Sequence, residues 1–147
     1  MTSIGTEKKL KSILLIDDNT STNFMHEVVL DHMNCVDYVK TCLNGYEGLE
    51  FLKRKRKGKY PRPDLIFVDL SMPVMDGWEF LQQYEQLEED QKAVTPPILL
   101  TSSMNPDHMA KAKLEYEVYD FINKPLTGST VKAILSKVDN EEQTRQA

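Results

Sequence analysis

Positive charge, cysteine and long apolar runs are all scarce in this chain of 147 residues. Lys and Arg number 18 against 23 Asp and Glu, for a formal net charge of -5. General nucleic-acid binding needs a field of basic charge to replace phosphate counterions, so any such contact would have to be local. The only cysteines are Cys35 and Cys42. If the segment between them is extended, their sulfurs are held roughly 23 Å apart at strand rise, out of reach of a disulfide. No stretch approaches the about 20 apolar residues of a membrane helix, and the opening nine residues, Met1 to Lys9, lack the apolar centre of a secretory signal. These deficits predict a soluble protein of a reducing, cytoplasmic compartment with no membrane association. Internal repeats are missing as well, and the length suits one domain with one site.

Short, nearly continuous apolar runs are present at Ile13 to Ile16, Leu65 to Val68 and Ile98 to Leu100. Continuous apolarity marks strands covered on both faces, as in a parallel sheet flanked by helices. Val36 to Thr41 and Val118 to Ile122 supply two weaker strands. Between them, Met25, Val28, Val29 and Met33 have helical spacing, as do Val131, Ile134, Leu135 and Val138. Asn105-Pro106-Asp107 reads as a cap, a first-turn proline and an acid at the positive helix end, which predicts a helix to about Glu115. Asn44 to Arg56 and Gly77 to Glu88 complete five strands alternating with five helices. Right-handed crossovers then give a doubly wound α/β domain, flavodoxin-like, with a parallel sheet in the order 2-1-3-4-5. Ligands of such sheets sit outside the carboxyl ends of the strands, at the switch between strands 1 and 3.

Those two strand ends carry acids. Asp69 closes the run Asp64-Leu-Ile-Phe-Val-Asp69, and Asp17-Asp18 follow Ser12-Ile-Leu-Leu-Ile16. Three carboxylates in one crevice repel one another, and a hard cation with oxygen preference relieves that repulsion. Mg²⁺ suits them best, because it takes one or two carboxylates and completes its octahedron with waters and a phosphate oxygen. Strand 4 ends in Thr101-Ser102-Ser103 and strand 5 in Asn123-Lys124-Pro125, offering a hydroxyl donor and a mobile ammonium suited to a phosphoryl oxygen.

As a set, Asp17-Asp18, Asp69 to Pro73 with Met75-Asp76-Gly77 behind it, Thr101-Ser102 and Phe121 to Pro125 resemble the receiver domain of two-component response regulators. The resemblance covers about residues 11–138, leaving 1–10 as an N-terminal extension and 139–147 as a polar C-terminal tail. It implies that Asp69 accepts a phosphoryl group from a histidine of a partner, a sensor histidine kinase or a histidine phosphotransfer protein. Asp17, Asp18, Asp69 and the backbone carbonyl of Ser71 are implied ligands of Mg²⁺. Thr101, Ser102 and Lys124 are implied contacts of the phosphoryl oxygens, with Pro125 after a cis peptide bond. Phe121 stands at the aromatic position that turns inward as Thr101 moves, and plain core packing is its competing role. Ser71 and Ser103 occupy positions that influence how long the phosphoryl group survives.

The expected whole is a single-domain regulator that controls partner binding, with no DNA-binding domain and a downstream protein target that the sequence does not name. The surface from Ile98 to Lys124 is the expected reporting face, and dimerisation on phosphorylation is left open. Turnover of an external substrate is not expected: a haloacid dehalogenase-like phosphatase wants a second acid where this chain has Ser71. The alternative is a degenerate receiver acting as a phosphorylation-independent interaction module, against which every acid, hydroxyl and lysine is retained. His26, His32 and His108 are expected at the surface or in packing, outside the acidic crevice. Trp78 is expected near it. Gly48 costs a helix up to about 1 kcal/mol, so close approach to the sheet is its expected compensation. The basic run Lys53-Arg-Lys-Arg-Lys-Gly-Lys59 reads as a helix end and solvated loop, with a nucleic-acid or acidic-partner patch as the competing reading.

Overall fold

The computed structural model of this chain describes residues 9–72 and 75–146, with side chains to residue 141. Most of the expected N-terminal extension, together with Pro73 and Val74 of the turn after Asp69, lies outside the described residues. Five strands, β1 (Leu10–Ile16), β2 (Val36–Cys42), β3 (Leu65–Asp69), β4 (Ile98–Thr101) and β5 (Asp120–Asn123), form one sheet in the order β2-β1-β3-β4-β5. All neighbours are parallel. The helices are α1 (Thr20–Met33), α2 (Gly45–Lys53), α3 (Gly77–Tyr84), α4 (Pro106–Glu115) and α5 (Gly128–Gln146).

Alternation along the strands divides the core into two layers, because successive side chains leave opposite faces of a sheet. Leu14, Ile16, Ile66, Val68, Leu99 and Phe121 pack with residues of α2, α3 and α4. Ile13, Leu15, Leu65, Phe67, Ile98 and Leu100 pack with Leu30 of α1 and with Val131, Ile134 and Leu135 of α5. Register then levels the strand ends. Ile16 pairs with Val68, so Asp17 and Asp69 lie side by side, and Asp69 pairs with Leu100, which places Thr101 one step beyond. Thr101 in turn pairs with Asn123, one residue before Lys124.

Several expected boundaries move. Helix α2 stops at Lys53 rather than Arg56: Arg54 is extended, and Arg56 and Lys59 bridge around Lys57 and Gly58, whose φ angles of 54° and 80° make a tight two-residue turn. Helix α3 ends at Tyr84, four residues before the expected Glu88, and a 3-10 turn follows at Glu89–Gln91. Strand β5 begins at Asp120 rather than Val118. Residues 139–146, expected as a tail, continue α5.

The largest departure is the rotation of α1. Met25 and Val28 of its apolar stripe are 58% and 47% exposed, whereas Asn23, His26 and Leu30 are buried. Val29 and Met33 are partly buried against the core. The helix starts beside strand ends whose backbone groups have left the ladder and need partners. Asn23 Nδ2 donates to the carbonyls of Asp17 and Cys42 at 2.9 and 3.2 Å, and His26 Nε2 accepts from the Leu126 N–H at 3.1 Å. Satisfying those groups turns the polar side inward.

Glycine permits two close approaches. A Cβ on Gly48 would sit 2.5 Å from Ile16 Cδ1, the close packing its place in a helix calls for, and one on Gly77 would sit 2.8 Å from Leu70 Cα and 2.9 Å from the Asp69 carbonyl oxygen. Asp76 caps α3 reciprocally with Glu79, so this helix start is pinned against the turn that follows Asp69.

Candidate phosphoryl and metal site

The ends of β1, β3, β4 and β5 build the crevice. Asp17 is 2% exposed and held on every side: its Oδ1 accepts from the Asn19 N–H at 2.9 Å, its N–H donates to the Cys42 carbonyl at 3.1 Å, and its Oδ2 meets Lys124 Nζ at 2.9 Å. Asp18, the next residue, faces solvent. Asp69 is 5% exposed; its Oδ1 accepts from the Ser71 N–H at 3.3 Å and its Oδ2 lies 3.4 Å from Lys124 Nζ. One oxygen from each of Asp17, Asp18 and Asp69 can be chosen so that all lie within 4.8 Å of one another.

Burial pushes the Asp69 carboxyl above its ordinary value and the charge of Asp17 adds to this, while Lys124 and the Ser71 N–H pull the other way. Burial works against the Lys124 ammonium, yet its hydrogen bond to Asp17 and the charges of Asp17 and Asp69 outweigh it and leave its pKa raised. Three carboxylates facing one ammonium carry a formal charge of minus two. An all-oxygen donor set with that deficit fits a hard divalent cation such as Mg²⁺. The residues present therefore suit the ion that the acids predict.

The remaining predicted residues fall around this core. Thr101 is buried, and its hydroxyl donates to the Ser103 carbonyl at 2.9 Å while accepting from the Ser103 N–H at 3.1 Å. It is therefore turned toward its own loop in this conformation. Ser102 is exposed at the rim. The Lys124–Pro125 peptide is cis, as the resemblance implies, and the Lys124 N–H donates to the Thr101 carbonyl at 2.7 Å. Phe121 is 7% exposed within the core layer. Trp78, expected near the crevice, packs against α4, with His108 and Tyr116 rings at 5.8 and 6.0 Å and Lys111 Nζ at 4.6 Å.

Asn23 and His26 join the site's support without having been singled out for it. His26 is packed, as expected, but behind the crevice: burial lowers its pKa, the charge of Asp17 opposes this and that of Lys124 reinforces it. Because Nε2 accepts from Leu126, the neutral ring carries its proton on Nδ1. The signal lay in the spacing Asn23, His26, Leu30, three and four residues apart on a helix that starts directly after the acidic pair.

A profile of the response regulator receiver domain matches residues 13–136. The probable C4-dicarboxylate response regulator DctR of Halalkalibacterium halodurans is 26% identical over 133 residues, which are 90% of this chain and 53% of that protein. The chain thus spans about half the length of that relative. Among solved structures, a two-component response regulator from Cytophaga hutchinsonii superposes with a TM-score of 0.74 at 27% identity, over 90% of this chain and 99% of the other. The phosphorylated cyanobacterial phytochrome response regulator RcpA does so with a TM-score of 0.68 at 25% identity, over 88% and 91%.

Proposed function

Because the chain belongs to the response regulator receiver domain family, we propose that it is a receiver switch in which Asp69 accepts a phosphoryl group from a phosphohistidine of a sensor histidine kinase or histidine phosphotransfer protein. The convergence of Asp17, Asp18 and Asp69 within 4.8 Å, with Lys124 touching Asp17 and Asp69, carries this reading. Phosphorylation is named for the relative RcpA and supports it.

A carboxylate oxygen of Asp69 forms the new P–O bond, the P–N bond breaks, and its electron pair leaves with the imidazole of the donor, which takes up a proton. Asp17, Asp18, one oxygen of Asp69 and the Ser71 carbonyl would hold Mg²⁺, which supplies the neutralising charge that lets a phosphoryl group approach three acids. Lys124 is already within reach of Asp69 and exchanges a carboxylate partner for a phosphoryl oxygen. Thr101 turns its hydroxyl from Ser103 to a second oxygen, and Ser102 offers its backbone N–H. Phe121, already buried, fills the space that Thr101 leaves. The change is read by a protein partner at the surface from Ile98 to Lys124, by a phosphorylation-dependent dimer, or by both. The protein assists its own phosphorylation and dephosphorylation and turns over no external substrate. Its setting is the cytoplasm, where such kinases present their phosphohistidines; no described helix is long and apolar enough to cross a membrane.

The test is intact-mass measurement after incubation with acetyl phosphate or phosphoramidate and Mg²⁺. One added phosphoryl group is expected, lost in Asp69→Asn and on chelation. Absence of an adduct with every donor would overturn the reading in favour of a phosphorylation-independent module.

A further inference from the structure

The basic run 53–59 lies outside the machinery above. It holds six of the chain's 18 Lys and Arg residues; without it the rest of the chain, formally -5 as a whole, carries -11. The tight turn at Lys57 and Gly58 displays this charge on an ordered scaffold, with residues 53–59 all exposed. Beside it, at the free edge of the sheet formed by β2, a groove of about 410 Å³ opens between β2 and α2, lined in part by Lys40, Tyr46, Phe51, Arg54 and Arg56.

The cations of this groove lack anionic partners. Among the described residues none of Lys40, Arg54 and Arg56 forms an ion pair with a carboxylate. The two acids of the groove are committed elsewhere: Glu47 accepts from the Leu43 N–H at 2.9 Å, and Glu50 lies 3.8 Å from Lys53. Lys40 Nζ and the Arg56 guanidinium instead share one aromatic ring, at 5.5 and 5.0 Å from the centroid of Phe51. A ring quadrupole compensates a full positive charge only in part, so an anion entering the groove gains from pairing with either cation. Tyr46, 56% exposed, adds an apolar and hydrogen-bonding wall.

We propose that this groove binds a short acidic segment of a partner protein in extended form, laid along the free edge of β2 with its carboxylates paired to the unpartnered cations Lys40, Arg54 and Arg56. An edge strand offers unpaired N–H and C=O groups to such a segment, and the cations select its side chains. A long polyanion such as duplex DNA meets the acidic field of the rest of the chain within a few phosphates. This site is independent of Asp69.

Fluorescence anisotropy with the full chain and a labelled peptide of about ten alternating Glu and Thr residues, the length of a long strand, tests the proposal. Saturable binding is expected, weakening as salt rises. The triple substitution Lys40→Gln, Arg54→Gln, Arg56→Gln weakens it by at least about tenfold. The triple substitution Lys55→Gln, Lys57→Gln, Lys59→Gln, which removes the same charge from the turn outside the groove, changes it by less than about threefold, which separates seating from diffuse attraction. Circular dichroism and the melting temperature confirm that each variant is folded. Absence of saturation at low salt, equal loss in the groove and turn triple variants, or tighter binding of a duplex DNA of equal charge would each overturn it.

Discussion

Asp69 is poorly matched to its surroundings before any ligand arrives. Burial and then the charge of Asp17 raise its carboxyl above the ordinary value of 3.8. A carboxyl raised in the folded state contributes stability below about pH 3.8 that is lost as pH rises through the folded value, so at neutral pH ionised Asp69 is a cost. Asp69→Asn removes that cost while Lys124 keeps Asp17. The metal-free variant is expected to melt higher than the wild type, by about 2–4 °C per kcal/mol recovered. Mg²⁺, which binds only the folded site, stabilises the wild type more than the variant. Differential scanning with and without Mg²⁺ measures both, and a lower metal-free melting point for Asp69→Asn would contradict the account. His26 has the opposite polarity. Its pKa is lowered chiefly by burial, so the unfolded chain takes up a proton near 6.5 where the folded one does not. Stability is complete above about pH 6.5 and falls as pH drops below it. Urea midpoints at about pH 7.5 and 5.5 are expected to differ less in His26→Gln, which retains an acceptor for Leu126, than in the wild type.

At the scale of elements, helix α1 carries the clearest lesson. Its apolar spacing is legible, and it predicts a helix correctly, but only Val29 and Met33 of that stripe reach the core while Met25 and Val28 face solvent. Periodicity weighs side chains and is blind to backbone carbonyls and N–H groups, which here draw Asn23 and His26 inward. Leu30→Ala is therefore expected to cost about 2–5 kcal/mol, as a fully buried leucine does. Met25→Ala, on the stripe expected in the core, is expected to stay within about 0.5 kcal/mol. Denaturant midpoints decide between the two faces. The early end of α2 escaped notice for a related reason: Lys57-Gly58 lacks the Asn or Asp that usually announces a two-residue turn. The strand ends were more legible, since Asp17, Asp69 and Thr101 each close an apolar run that has no other place than the sheet, while Lys124 follows the weaker β5.

For the molecule as a whole, strand order was legible because alternating strands and helices with one crossover hand leave few arrangements, and that order brings residues 17, 69 and 124 together. Side-chain direction at the crevice was not. Trp78 follows Gly77, which packs against Leu70, and its ring lies on α4 against His108 and Tyr116, contacts that spacing alone does not announce. Its fluorescence thus reports the packing of α3 on α4. Phosphorylation is expected to shift Trp78 emission, Mg²⁺ alone to leave it nearly unchanged, and Asp69→Asn to abolish the phosphodonor response. A full shift on Mg²⁺ alone would place the indole in the crevice after all.

The paired contacts between Thr101 and Ser103 bear on how sharply the molecule can decide. Leaving Ser103 forfeits two hydrogen bonds of about 0.5–1.5 kcal/mol each, and a bond to a phosphoryl oxygen returns about 1.5–3 kcal/mol. The two arrangements are close to isoenergetic. In the proposed switch the threshold for signalling therefore belongs to the backbone N–H and carbonyl of residue 103, which hold Thr101 back whatever side chain stands there.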